Sequence, residues 1–167
     1  MCKAPMFDGV PIVPAFVLFP VHVQQGRLPP PLEFLVDTGA DKTMINAVDA
    51  EKLGVTYSRS AEGEDVAMFD GVRLREGPTM GGVGGGIKTY TVRNVSLLFV
   101  TLDDGRLVEL HDEPLDELFV PEGTVREIPN LLGRDLLERF NFSYRPADGL
   151  VELTRAPTPG RYVVERW

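Results

Sequence analysis

Apolar residues in this chain come in short runs and alternations of about five residues, the pattern of β-strands rather than of long helices. Residues 15–25, rich in Val and Phe, predict a strand, and Gly26 to Pro31 a turn. Leu32 to Val36 is a second apolar run that stops at Asp37. Asn46 to Leu53 predicts a short helix, with Asn46 as N-cap and Gly54 just past its end. Tyr57 to Glu76 predicts a strand or two joined by polar turns, and Thr89 to Leu102 one or two more. Arg134 to Phe140 predicts a second short helix. Phe142 to Tyr144 and Leu150 to Leu153 flank a turn at Asp148-Gly149 and read as a hairpin. The fold class is mostly β with two short helices, without an internal repeat or long linker.

Composition narrows this to a folded domain. With 167 residues, 43% hydrophobic and 25% charged, the chain suits one domain with its own core. Cys2 is alone and cannot pair within the chain, which points to a reducing, cytoplasmic setting. The apolar stretch from Val10 to Val23 is interrupted by Pro11, Pro14 and Pro20 and has no small-x-small cleavage site after it. It falls short of the roughly 20 residues that a membrane helix needs. It reads as an edge strand punctuated by prolines, and no membrane association is expected.

The net charge of −8 disfavours partners that require phosphate neutralisation, so nucleic acid is not expected. Residues 61–130 hold 14 acids against 6 bases and so carry the whole imbalance. Such a stretch reads as solvated surface, or else as a rim that repels acidic substrates and attracts basic ones. His111 stands beside Asp112 and Glu113 without a second His nearby, which favours a solvated acidic loop over a metal site. His22 reads as a structural or surface residue. No metal or cofactor is expected.

Chemistry enters with Phe34-Leu35-Val36-Asp37-Thr38-Gly39-Ala40-Asp41-Lys42-Thr43. A strand here delivers a carboxylate onto a tight turn. Gly39 lets the backbone approach closely, and the Thr38 hydroxyl can tie the turn down. Asp-Thr-Gly alone also fits an ordinary Asx turn. Two later segments change its weight: Met80-Gly81-Gly82-Val83-Gly84-Gly85-Gly86-Ile87-Lys88 and Asn130-Leu131-Leu132-Gly133-Arg134-Asp135-Leu136-Leu137. In this order and spacing the three segments resemble the retropepsins, the retroviral-type aspartic proteases. Nucleotide binding fails on spacing, because Ile87 separates the Gly86 and Lys88 that a P-loop needs adjacent. No Gly-x-Ser-x-Gly elbow or paired Cys and His offers a covalent nucleophile.

The resemblance implies a retropepsin-like acid protease fold, a closed or partly open β-barrel with short helices, as a single domain over residues 1–167. The core would span about residues 15–153, with 154–167 a C-terminal extension or interface strand. It implies one lobe per chain and a two-fold homodimer, since catalysis needs two carboxylates and the chain has one Asp-Thr-Gly. Asp37 would be catalytic, with Thr38, Gly39 and Ala40 completing its loop and Thr38 bracing the partner's loop. Gly81, Gly82, Val83, Gly84 and Gly85 would form a flap over an extended peptide or protein substrate. Asp41 and Arg134 would form a partly buried ion pair near the dimer interface, with Leu132 and Gly133 packed beside the loop. Ala40 removes a hydroxyl that could stabilise the ionised dyad, which suggests mildly acidic activity. Gly86, where a bulkier residue often follows the flap tip, suggests a looser flap. Extra length at about 51–77, 103–127 and both ends resembles cellular or bacterial relatives rather than a virus-encoded enzyme. Tyr162 and Trp167 would either pack an interface strand or belong to a mobile tail. The alternative is a catalytically silent module of the same fold that binds peptides or dimerises.

Overall fold

A computed structural model of the chain describes residues 2–5, 9–82, 85–103 and 106–155. Strand β1 (Cys2–Pro5) is followed by β2 (Ile12–Leu18), where Val13, Ala15 and Val17 alternate with less buried neighbours, so one face enters the core. Pro20 opens the short helix α1 (Pro20–Gln24), where its fixed φ and missing N–H cost nothing. The same alternation in β3 (Leu32–Val36) buries Leu32, Phe34 and Val36. Helix α2 (Ala47–Lys52) begins where the Asn46 side chain accepts the Asp49 N–H at 2.8 Å, and ends against Gly54 at φ +103°.

Beyond α2 the chain is almost wholly strand. β4 (Val55–Arg59), β5 (Asp65–Phe69) and β6 (Val72–Arg73) form a small antiparallel sheet. A short β7 (Arg75–Glu76) leads to a hairpin of β8 (Met80–Gly82) and β9 (Gly85–Ile87). The long strands β10 (Thr89–Asp103) and β11 (Arg106–Pro121) pair antiparallel as a ribbon. Then come β12 (Asn130–Leu132), helix α3 (Arg134–Leu137), β13 (Phe140–Arg145), a single 3-10 turn at Pro146–Asp148 and β14 (Leu150–Arg155).

The principal sheet runs β11-β10-β2-β3-β12, with β7 added against β10, and a second sheet runs β1-β14-β13. Its β3 and β12 lie parallel, in the register Phe34↔Asn130 to Val36↔Leu132. Phe19, Phe34, Tyr90, Leu97, Phe99, Leu118, Leu132, Leu136 and Leu153 are almost fully buried and join both sheets and α3 in one core. Each such side chain contributes about 1.5–3 kcal/mol relative to exposure. No helix of the described residues is long and apolar enough to cross a membrane.

Three local expectations change. Residues 15–25 are not one strand, because Pro20 starts α1. The described residues therefore hold three short α-helices and a 3-10 turn rather than two helices. The proline-bearing β2 is not an edge strand but lies between β10 and β3. It pairs with β3 through residues 12–15 and with β10 through residues 15–18, so Pro14 sits where only one neighbour bonds to the strand. The segment around His111 is not a solvated acidic loop but part of β11, whose Glu113 is fully buried. The Glu113 carboxylate is met by His111 at 2.8 Å, Arg155 at 3.2 Å and Arg139 at 3.5 Å. Two guanidinium groups offset the desolvation that would otherwise exclude a carboxylate from this position. Tyr162 and Trp167 lie outside the described residues.

His22 is buried in α1 and stacks on Phe19, and its Nδ1 accepts the Phe19 N–H at 3.2 Å. Burial pushes the imidazole below its usual value of 6.5, opposed in part by a hydrogen bond to the Leu53 carbonyl and helped by the charge of Arg27. The unfolded chain therefore takes up this proton at higher pH than the folded one. The stability contributed by neutral His22 is complete above about pH 6.5 and is lost as pH falls through the depressed folded value. Urea denaturation from pH 8 to 5 should show this loss in the wild type, and His22→Asn, which keeps an acceptor but cannot titrate, should lack that component.

Candidate active site

The end of β3 is tied from both sides. The Val36 N–H donates to the Pro11 carbonyl at 2.9 Å, and the Asp37 N–H donates to the Leu132 carbonyl at 3.1 Å. The chain then turns sharply. Asp37 Oδ1 accepts the Gly39 N–H at 2.8 Å, and the Ala40 N–H donates to the Asp37 carbonyl at 3.2 Å. The turn is thus held by the Asp37 carboxylate itself, and the exposed Thr38 hydroxyl makes no hydrogen bond among the described residues. A Cβ on Gly39 would lie 3.2 Å from Asp37 Oδ1, closer than side chains usually come. Asp37 is half-buried at the base of a cleft.

The far end of the loop is locked by residues distant in sequence. Thr43 is fully buried, and its N–H donates to Asp135 Oδ1 at 3.0 Å and Oδ2 at 3.1 Å. Its hydroxyl donates to Asp135 Oδ1 at 2.7 Å and accepts the Gly133 N–H at 3.1 Å. The main chain repeats the attachment, with Arg134 N–H donating to the Ala40 carbonyl at 2.8 Å and Asp135 N–H to that of Asp41 at 3.3 Å. Gly133 crosses the Lys42 backbone so closely that a Cβ would lie 2.4 Å from the Lys42 carbonyl carbon. Only glycine fits there. Leu132 is fully buried, and its carbonyl accepts the Asp37 N–H.

Asp41 and Arg134 are brought together as an ion pair, and the Asp41 carboxylate holds Arg134 further toward its charged form. Their side chains are 70% and 54% exposed in the single chain, so the pair is not partly buried there. Such a pair contributes little by itself while water surrounds it.

The cleft above Asp37 has a volume of about 690 Å³. Asp37, Gly39 and Ala40 form its floor together with Asp41, Lys42 and Met44. Pro78 to Gly81 and Ile87, from the β8–β9 hairpin and its approach, also line it, as do Ile128, Pro129 and Leu131. The hairpin pairs Met80 with Ile87, Gly81 with Gly86 and Gly82 with Gly85. Its stem is anchored where the Gly77 N–H donates to the Thr89 carbonyl at 2.8 Å and the Thr89 hydroxyl donates to the Pro78 carbonyl at 2.6 Å. Gly85 takes φ +124°, which a side chain would strain, and a Cβ on Gly86 would come within 2.6 Å of the Thr79 methyl. Val83 and Gly84, also expected in the flap, lie outside the described residues.

Two supports, Asp135 and Asn130, have partners far away in the chain and so carry no local signal of their roles in the sequence. Asn130 is buried: its side-chain carbonyl accepts the Asn46 N–H at 2.8 Å, and its Nδ2 donates to the Glu33 carbonyl at 2.9 Å and Asp49 Oδ2 at 2.7 Å. It welds β12 to the start of α2.

A strand-borne Asp-Thr-Gly turn and a glycine-rich hairpin thus line one cleft. The family model for gag-polyprotein putative aspartyl protease matches residues 28–139, more than half of the chain. The chain belongs to this family, which bears out the resemblance carried by its three segments. Among solved structures, a retropepsin-like aspartic protease from Rickettsia conorii is 24% identical over 90% of this chain and 95% of its own, with a TM-score of 0.49. EIAV protease complexed with the inhibitor HBY-793 is 20% identical over 79% of this chain and 88% of its own, with a TM-score of 0.43. No curated protein matches the chain.

Thr43→Val keeps the shape of the residue but removes one of the two hydrogen bonds to Asp135 Oδ1 and leaves the buried Gly133 N–H without its acceptor. It should lower unfolding free energy by about 1–3 kcal/mol, read as a reduced urea midpoint at unchanged m-value. Thr43→Ser should recover most of the loss.

Proposed function

We propose that this chain is an aspartic endopeptidase that works as a homodimer, with one active site built from two copies of Asp37. The observation that carries the reading is the position of Asp37, on a braced turn in a cleft that a glycine-rich hairpin also lines. The described part of one chain supplies one such loop, and hydrolysis by carboxylates needs two. A two-fold axis beside the loop would bring Asp37 against its twin and let the exposed Thr38 side chains brace the opposite turns.

The chemistry follows from that pairing. Two carboxyls about 3 Å apart cannot both ionise and so share one proton, an effect for which aspartic proteases are the known case. The ionised oxygen takes a proton from a water held between them. The protonated one donates to the peptide carbonyl as the water oxygen attacks its carbon. A tetrahedral diol results, and its collapse breaks the C–N bond as the amine nitrogen takes up a proton. No covalent enzyme intermediate forms.

The substrate is an extended peptide of roughly six to eight residues, paired with the hairpin above and the cleft floor below. Met44, Ile87, Ile128 and Leu131 supply apolar walls, which suit apolar side chains beside the cleaved bond. Gly81, Gly82 and Gly85, together with Val83 and Gly84, form the flap, whose glycines let backbone N–H groups approach substrate carbonyls. The single cysteine supports a cytoplasmic setting.

Wild type and Asp37→Asn incubated with a diverse peptide mixture between about pH 4 and 7 test this reading. Wild type should cleave and be blocked by a statine-type inhibitor, and the variant should lose roughly a thousandfold or more in rate. Equal peptide binding without cleavage by either protein supports the silent module instead, and full activity where sedimentation shows only monomer rules out the shared site. Arg134→Ala, which frees the Asp41 side of the loop, should raise the dimer dissociation constant before the rate per dimer changes. Sedimentation velocity across a dilution series measures it, and an unchanged constant counts against the role given to this pair.

A further inference from the structure

Three ionisable side chains line the cleft: Asp37, Asp41 and Lys42. Two have assigned partners, since Asp37 holds the Gly39 N–H and faces the chemistry, while Asp41 is neutralised by Arg134. Lys42 is different. Its ammonium makes no ion pair among the described residues and lies 5.8 Å from the centre of the Phe119 ring, the partner of an aromatic face rather than of a carboxylate. Lys88, beside the same hairpin, has the opposite arrangement: it lies over Tyr90 but is paired with Glu76 at 3.1 Å.

Lys42 also borders a polar recess lined by Asp116, Glu117 and Asp135. Asp116, exposed on β11, makes no ion pair with Lys42. Glu117 is held by Arg93 at 3.1 Å, and both oxygens of Asp135 are held by Thr43. The recess therefore does not satisfy the ammonium, which remains available to an occupant of the cleft.

We infer that Lys42 makes this site selective for peptides carrying an aspartate or glutamate at one fixed position away from the cleaved bond. The inference rests on the proteolytic reading and names its substrate class. The shared dyad keeps one negative charge, so an acidic side chain directly at the cleaved bond is disfavoured and the preference falls further along the strand. In a two-fold dimer each half of the cleft has its own Lys42, so the preference appears on both sides of the bond. This is opposite in sign to what the overall charge of −8 suggests. The acidic surface acts at long range and is screened by salt, whereas Lys42 meets the substrate at contact distance.

The test uses the full-length protein and a peptide set with a constant apolar pair at the cleaved bond. Every other position is varied in turn as Glu, Gln or Lys, and kcat/KM is measured for wild type, Lys42→Glu and Lys42→Met, with Asp37→Asn as control. Wild type should favour Glu over Gln at one position on each side by about fivefold, the size of one partly exposed ion pair. Lys42→Glu should favour Lys there, and Lys42→Met should not discriminate by charge. Asp37-dependent cleavage without a charge preference, or the same acidic preference in both Lys42 variants, overturns the inference and leaves the proteolytic reading intact. If no peptide is cleaved in an Asp37-dependent manner, both are overturned.

Discussion

The candidate site is organised by a crossing of two main-chain segments, the turn at 38–43 and the passage from β12 into α3. Gly133 lies on Lys42 with no space for a side chain between them, and Thr43 and Asp135 bond through the same contact. Neither segment is regular structure where they meet, so without these bonds several buried polar groups would have no partner. The crossing lets one short loop leave a strand, present a carboxylate and still be tied down at its far end. Asn130 extends the same bracing to α2. Preorganisation of the Asp37 turn thus combines its own carboxylate bond to Gly39 with bracing by Thr43, Gly133 and Asp135, which do not line the cleft.

One buried carboxylate fastens the β13–β14 hairpin. Glu113 on β11 receives Arg139, which follows α3, and Arg155 at the end of β14. Arg139 also donates to the Pro114 carbonyl at 2.6 Å. The helix that carries Arg134 and Asp135 is therefore held at its start by the loop and just past its end by the ribbon. Acidic residues concentrated in the middle of the sequence do not all serve as surface. At least one is an internal anchor.

The sequence was most readable where local rules suffice. β3 runs over its predicted residues because an apolar run meets a sharp stop at Asp37, and α2 follows from the Asn46 cap and Gly54. The hairpin around Gly149 follows from a glycine at φ +61°. Readings failed where distant partners decide. Pro14 suggested an edge strand, and only the division of β2 between two neighbours shows why an internal strand tolerates it. Glu113 could not be read as buried without knowing that two arginines from later elements converge on it. In the site, the segments themselves were legible, but the Thr43–Asp135 bonds join positions 92 apart and leave no local trace.

The parallel pairing of β3 with β12 also sets when the site can exist. Strand partners at residues 34–36 and 130–132, and the Asp135 that closes the loop, lie far apart in the sequence, with Thr43 and Asp135 separated by 92 positions. Pairings of such long range form late, after local hairpins such as β10–β11. During synthesis the Thr43–Asp135 bonds therefore cannot form until residue 135 has left the ribosome. The Asp37 carboxylate is made well before the group that locks the far end of its loop, so the finished geometry of the turn waits on a segment translated much later.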